Sequence, residues 1–593
     1  MPGSLGSPPA QRRHLLYPAP VRAPSAPFKD EWKRHNPRLL GWALVLFAFL
    51  IEQLGFLQRL IWRNAGFGSL AAIGQFLANV EPRFDPTVVP LPGGADADHP
   101  SSATDTPTAS GSIARYRALY ISRDISPTAV ADALLSLITT GKYSAAWVEV
   151  HPELVREAAR ASTLRYNECK PLGPLDGIPV AIKDEFDVQG HATRIGSAIV
   201  PVIEKSVDSW CVEKLKESGA IIIGKVTMVE FGIDTSGCNP AFGTPLNPYN
   251  LQYYTGGSSS GGAYSVSTGL VPIALGSDAG GSIRIPSSFC SVTGLKPTHG
   301  RLSFMPGINH VSCNVNGPIA ADVSSLSAFY SILSQPHPTS PFPANLERDS
   351  DRPTLIGIPE AWFQLAPPVI QKLCRGVIAR LETSKGYKVV PIEIPFTREG
   401  RIATAVTVLA DAATVIPEHS GMSATSRILL ALGRITPATD LILAQKLRHL
   451  LMRHLAWLWS EHPGMVIVTP TTRCAGWPIK SATELQYGLS DADRTIECME
   501  YTWLANFCGL PSISMPAGYV VPEGQAKAGE MASKDTEGMV PVGMMATGEW
   551  ACEEILLRFA KDVEDVCHED RCRPPIWVDV IGLAKKEMEK EGS

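Results

Sequence analysis

Leu270-Val271-Pro272-Ile273-Ala274-Leu275 runs straight into Gly276-Ser277-Asp278-Ala279-Gly280-Gly281-Ser282-Ile283-Arg284-Ile285-Pro286, and this stretch organises the whole 593-residue chain. A short apolar run closed by turn residues has the pattern of a buried strand. The two glycines directly before Ser282 allow a sharp turn in which successive main-chain N–H groups converge on one spot, a geometry able to hold an oxyanion. Outward from this point, helical spacing at residues 130–137 and 151–163 alternates with strand-like runs at 178–182, 220–223, 354–358, 465–470 and 511–516. Such alternation predicts an α/β layered architecture around a buried sheet. Residues 441–459, with Trp457 and Trp459, read as a helix packed in the core, and 585–593 as a solvated helix end. The chain contains no repeat of solenoid or propeller period.

Composition narrows the function classes. A hydrophobic share of 45% with 19% charged residues suits a large packed body rather than a disordered chain. The formal charge is -5 and no long basic run occurs, so a nucleic-acid partner is not expected. The 12 cysteines form no CxxC pair, Cys567-His568 and Cys572 being the nearest approach to a metal cluster, and no HExxH sequence is present. We therefore expect no metal and no cofactor, with buried thiols in a reducing, intracellular compartment.

The N-terminal part reads differently. Residues 1–38, rich in Pro, Arg and Ser, are expected to be a flexible leader. An apolar run at 39–51 follows Lys29, Lys33, Arg34 and Arg38 and resumes past Glu52 and Gln53 as 54–62. Its uncharged part is shorter than the roughly 20 residues that cross a bilayer, unless the helix extends through Glu52. The segment 39–85 is thus a candidate membrane anchor, associating through 39–62, or a helical region packed on the protein's own body. Pro90, Pro92, Gly93, Gly94 and the Ser/Thr-rich 101–110 make 86–112 a linker. Residues 113–593 then form the catalytic domain.

Two further segments carry chemistry. Gly173-Pro174-Leu175-Asp176-Gly177-Ile178-Pro179-Val180-Ala181-Ile182-Lys183-Asp184 is an apolar strand ending on a lysine. Burial lowers a lysine pKa, so Lys183 is either a neutral base or the partner of Asp184 or another carboxylate at the sheet edge. Thr255-Gly256-Gly257-Ser258-Ser259-Ser260-Gly261-Gly262 leads into a small-residue helix and, in isolation, also fits a linker or an anion-binding turn. Gly257 to Gly261 matches GxSxG around Ser259, but residues 247–255 lack the apolar strand that motif needs. No His/Asp pair has comparable context, which leaves a lysine-based relay for acyl transfer.

Taken together, these residues resemble the amidase signature family over roughly 114–584. Pro174 to Asp184 resembles the segment of the catalytic lysine, and Gly256 to Gly262 with Gly276 to Pro286 resembles the signature itself, its two serines 24 positions apart. Asn506-Phe507-Cys508-Gly509-Leu510-Pro511-Ser512-Ile513-Ser514-Met515-Pro516-Ala517-Gly518 is similar to the family's late strand motif. Ser260 departs from a position often held by glycine. The resemblance implies a large mixed central β-sheet covered by helices on both faces. It further implies Ser282 as nucleophile, Ser258 as bridging serine, Lys183 as base and a cis Gly257–Ser258 peptide. The oxyanion would be held around Ser258 by the N–H groups of Ala279, Gly280, Gly281 and Ser282, with Ser259, Asp278 and Arg284 in support. The reaction implied is hydrolysis of a small-molecule amide through an acyl-enzyme.

Within that family, length and the apolar N-terminal segment resemble the fatty acid amide hydrolase branch, whose members act at membranes. Ser426-Arg427-Ile428-Leu429-Leu430-Ala431-Leu432-Gly433-Arg434 either docks on lipid headgroups or packs its leucines inward. The competing readings are the amidase subunit of a glutamyl-tRNA amidotransferase and a catalytically silent membrane-tethered interaction protein. A homodimer is compatible with the sequence.

Overall fold

The computed structural model describes residues 14–25, 36–91, 111–139, 141–307, 311–343 and 354–591. Residues 1–13 and 26–35 of the expected leader, 92–110 of the expected linker and the terminal 592–593 lie outside the described residues.

Strands close into one 11-stranded sheet. In chain order they are β1 (Trp147–Glu149), β2 (Pro179–Lys183), β3 (Ile221–Val226), β4 (Ile273–Asp278), β5 (Thr293–Lys296), β6 (Val315–Ala320), β7 (Leu355–Ile358), β8 (Lys388–Pro391), β9 (Val466–Pro470), β10 (Ser512–Val520) and β11 (Val540–Thr547). The spatial order is β8-β7-β9-β11-β10-β5-β6-β4-β2-β3-β1. It is a mixed sheet: β2 lies parallel to both β3 and β4, whereas β6, β5, β10 and β11 pair antiparallel along the middle. Successive strand residues point to opposite faces. Ile273, Ala274 and Leu275 of β4, like Val180, Ala181 and Ile182 of β2, are all buried, so both faces are covered. Each such aliphatic side chain contributes roughly 1.5–3 kcal/mol relative to exposure. The fold is therefore α/β as read from the sequence, and the predicted runs at 178–182, 220–223, 354–358, 465–470 and 511–516 fall on β2, β3, β7, β9 and β10.

The helices that bear on the site are α1 (Gly41–Gln53), α2 (Gly55–Asn64), α3 (Ser260–Ser267), α4 (Arg284–Phe289), α5 (Thr397–Val415), α6 (Ala424–Arg434), α7 (Ala438–Glu461), α8 (Ala492–Met499) and α9 (Trp503–Phe507). The apolar run at 39–62 is not one helix: α1 and α2 meet at a bend of 111°. Leu54 at the break is extended, with φ -115° and ψ 91°. Among the described residues no single helix is long and apolar enough to cross a membrane. Glu52, the charge that interrupts the run, is held by Arg427 of α6, whose Nε donates to Oε1 at 2.8 Å. An ion pair with the body thus turns the chain where an extended span would have continued.

α1 is apolar on all sides, and its two faces meet different surroundings. Leu44, Ala48 and Ile51, spaced i, i+4, i+7, pack on Ala424, Ile428, Ala431 and Leu432 of α6. The inward packing of residues 426–434 is therefore the one the fold adopts, Leu430 and Leu432 being buried and Leu429 half-buried. Residues 14–25 of the expected leader also lie along the body. His14–Leu15 pairs antiparallel with Val89–Pro90, and the Tyr17 hydroxyl donates to Glu549 at 2.5 Å.

Candidate active site

β2 and β4 run parallel and side by side, so their C-terminal residues Lys183 and Asp278 end at one edge of the sheet. Sites in parallel sheets form outside those carboxyl ends. The pleat explains which carboxylate Lys183 meets. Its sequence neighbour Asp184 points to the opposite face and pairs with Lys225 of β3 at 3.3 Å, while Glu185, two residues on, lies 3.5 Å from the Lys183 amine.

Lys183 is 1% exposed. Its Nζ donates to the Ser258 hydroxyl at 2.8 Å and to the Ser277 hydroxyl at 2.7 Å. Burial lowers its pKa below the ordinary lysine value, and the opposing pull of Glu185 and Asp278 does not restore it. The amine is thus biased toward its neutral form while two hydroxyls fix its position.

Ser258 follows a cis Gly257–Ser258 peptide and precedes α3. Gly257 N–H donates to Thr235 O at 2.8 Å, and Val229 N–H donates to Ser258 O at 3.2 Å. Gly256 has φ +77°, and a Cβ there would stand 2.8 Å from the Phe289 ring. Only glycine fits both demands. Ser259 ties the two serine loops together: its N–H donates to Ser282 O at 3.1 Å and its hydroxyl to Ser277 O at 3.2 Å.

Ser282 opens the turn into α4. Asp278 builds this turn, accepting from Gly281 N at 2.7 Å, Ile283 N at 3.1 Å and the Arg284 guanidinium at 2.9 and 3.0 Å. Burial alone would raise the Asp278 pKa, but Arg284 and the surrounding donors hold it below the usual carboxylate range. Arg284 in turn donates to Asn506 Oδ1, and Asn506 Nδ2 donates to Asp278 O at 2.7 Å. These carboxylate bonds change the expectation for the oxyanion donors. The Gly281 N–H is committed to Asp278, whereas among the described residues the N–H groups of Ala279, Gly280 and Ser282 donate to no protein acceptor.

The structure therefore brings Lys183, Ser258, Ser259, Asp278, Arg284 and the 279–282 turn into one cluster. Among the described residues no hydrogen bond joins the Ser258 and Ser282 hydroxyls; the two loops are linked instead through the Ser259 amide. Catalytic contacts of this kind often tighten only with substrate bound. Sequence reasoning gave no role to Ser277, Glu185, Asn506 or Thr502. Thr502 fixes the turn by donating to Gly280 O at 2.7 Å. Ser277 and Glu185 lie in or next to the chemistry-bearing segments, but only the strand register puts them beside Lys183.

A cavity of about 260 Å³ opens beside Ser258. Val229 and Ile233 line it from the loop after β3, Ser423 and Ser426 from the start of α6, and Glu230 and Asp234 bring carboxylates to its wall.

A family model described as "Amidase" matches residues 132–557. The chain is 34% identical over 495 residues to a fatty acid amide hydrolase of Medicago truncatula, covering 79% of this chain and 78% of that one. It is 28% identical over 513 residues to a subunit of the glutamyl-tRNA(Gln) amidotransferase of Symbiobacterium thermophilum, covering 78% of this chain and 98% of that one. Among solved structures, the native peptide amidase from Stenotrophomonas maltophilia superposes with a TM-score of 0.62 at 24% identity, over 79% of this chain and 99% of that one.

Proposed function

We infer the reaction from one premise: this chain belongs to the amidase signature family and is an amidase, an enzyme that hydrolyses amide bonds. Our reading is that Ser282, Ser258 and Lys183 form its Ser-Ser-Lys triad and that its substrate is a fatty acyl amide. The observation that supports the triad most is the fully buried Lys183 amine bonded to the Ser258 hydroxyl at 2.8 Å.

In this mechanism neutral Lys183 accepts a proton from Ser258 as Ser258 accepts one from Ser282. The Ser282 oxygen attacks the amide carbonyl, and the tetrahedral oxyanion is met by the N–H groups of Ala279, Gly280 and Ser282. Asp278 holds the turn through Gly281 rather than leaving that amide to the substrate. The relay run backwards protonates the leaving nitrogen, the C–N bond breaks, and water hydrolyses the resulting acyl ester by the same path. Ser282→Ala is expected to abolish both hydrolysis and labelling by a serine-directed fluorophosphonate. Normal labelling of the variant would overturn the assignment of the nucleophile.

The lipid reading rests on similarity to the Medicago truncatula enzyme and on the outer face of α1 and α2. Opposite the α6 contact, Trp42 is 76% exposed, with Val45, Leu46 and Phe49 exposed beside it. Phe56 is 69% exposed on α2, where Leu60, Arg59 and Arg63 are exposed as well. Apolar side chains with arginines alongside suit a helix lying in a headgroup layer, not one crossing it. The prediction has two parts: hydrolysis rates rise with acyl length, and Trp42→Ser/Phe49→Ser lowers vesicle binding about ten-fold while hydrolysis of a short soluble amide is kept. A preference for glutamine over every acyl amide would favour the amidotransferase alternative instead.

A further inference from the structure

Cys474 and Cys498 are far apart in the chain, yet their sulfurs lie 3.5 Å apart in a buried cluster with Cys238, Tyr254, Phe289 and Trp477. A side-chain rotation separates them from a disulfide, whose S–S bond is about 2.05 Å long. We propose that Cys474 and Cys498 are a dithiol oxidation site, and that closing the bond between them slows the enzyme by shifting the turn that carries the oxyanion donors.

Three observations join to support this. The first is the chemistry around Cys474. The thiol bond from Cys498 lowers its pKa, with the Arg494 guanidinium acting in the same direction, while burial opposes both. Arg494 is fixed in place by Glu497 at 2.9 Å and Gly476 O at 2.8 Å. A thiolate beside a fixed cation is the nucleophilic form of cysteine.

The second is access. Cys474 is 5% exposed and Cys498 fully buried, but α8, which carries Cys498, has no other buried residue. A two-turn helix anchored so sparingly opens locally at low cost. Cys238 of the same cluster lines the cavity beside Ser258, so a small oxidant has a way in.

The third is the connection to the site. Met499 follows Cys498 directly, and its Cε packs on Gly280 closely enough that a Cβ there would lie 2.8 Å away. Three residues further on, Thr502 holds Gly280 O at 2.7 Å. Any movement of the end of α8 is therefore passed to the peptide whose N–H faces the oxyanion.

With a hydroperoxide as oxidant the step balances. The Cys474 thiolate attacks the peroxide oxygen and becomes a sulfenic acid as the O–O bond breaks and one water leaves. The Cys498 sulfur then attacks Cys474 Sγ, the S–O bond breaks, and a second water carries off the oxygen. Two thiols lose two electrons and two protons in total.

The test uses the full-length enzyme treated with hydrogen peroxide, then alkylated, digested without reductant and analysed by mass spectrometry beside kinetics. We expect a cross-linked peptide pair holding Cys474 and Cys498, a roughly ten-fold fall in kcat on the scale of a misaligned oxyanion donor, and recovery of both on adding dithiothreitol. Cys474→Ser and Cys498→Ser should each keep kcat before treatment and resist peroxide. If Cys498→Ser fails to fold, Cys474→Ser and the cross-link carry the test. A native enzyme that loses no free thiol at these positions, or one that cross-links without losing kcat, overturns the proposal. The cross-link is read without any assumption about substrate, so its absence is distinguishable from an error in the assigned reaction.

Discussion

Lys183 and Lys225 sit on neighbouring parallel strands, at the end of β2 and near the end of β3, and both are buried in the same sheet edge. Burial lowers the pKa of each. Their partners separate them. Lys225 faces the Asp184 carboxylate at 3.3 Å and donates to Ala192 O at 3.1 Å, a closed structural pair. Lys183 faces two hydroxyls at 2.7 and 2.8 Å, with its carboxylate held off at 3.5 Å. A buried lysine is a base or a strut according to whether the atoms around it can give up a proton.

That contrast can be broken in order of expected effect. Lys183→Ala should cost about 10²–10⁴-fold in kcat, the range for losing a positioned proton acceptor, while leaving the fluorophosphonate-reactive turn folded. Near-normal turnover would erase the distinction between the two lysines. Lys225→Met should do the reverse: it strands Asp184 in the core and destabilises the fold by about 3–5 kcal/mol, read in denaturant melts, with kcat per folded molecule nearly unchanged. Adding Asp184→Leu should recover most of that stability, since neither charge is then left alone. A large loss of kcat in folded Lys225→Met would mean that it too serves the reaction.

A finer test uses pH. Only the neutral amine accepts a proton, so kcat/KM rises as pH climbs through the Lys183 pKa and levels off above it. Glu185 favours the ammonium form and pulls that pKa upward against burial. Glu185→Gln should therefore move the acid limb of the profile to lower pH; an unmoved or alkaline-shifted limb would show that the carboxylate does not act on the base. The effect is smaller than the other two because burial, not Glu185, is the dominant cause.

Much of this was legible in order of locality. The glycines before Ser282, the lysine closing an apolar strand and the 24-residue spacing of the serines are set within short segments. So are the strands at 178–182 and 465–470, since period-two burial and turn chemistry act over a few residues. The strands β5, β6 and β11 gave no comparable signal. They hold Gly294, Gly317 and Gly543, where a Cβ would meet atoms within 2.7 Å, so neighbours rather than sequence pattern select them.

By itself, then, the sequence determined the α/β class, the chemistry-bearing serines and lysine, and the turn in which they act. The tertiary structure alone decided that Glu185 rather than Asp184 stands by Lys183 and that the Gly281 amide belongs to Asp278. It also decided that 39–62 bends at Leu54 onto α6 and that Cys474 meets Cys498. The physical reason is range. Backbone sterics and side-chain periodicity are fixed by near neighbours in the chain, whereas partner choice depends on which distant surfaces pack together, the summed result of many contacts each worth a fraction of a kcal/mol.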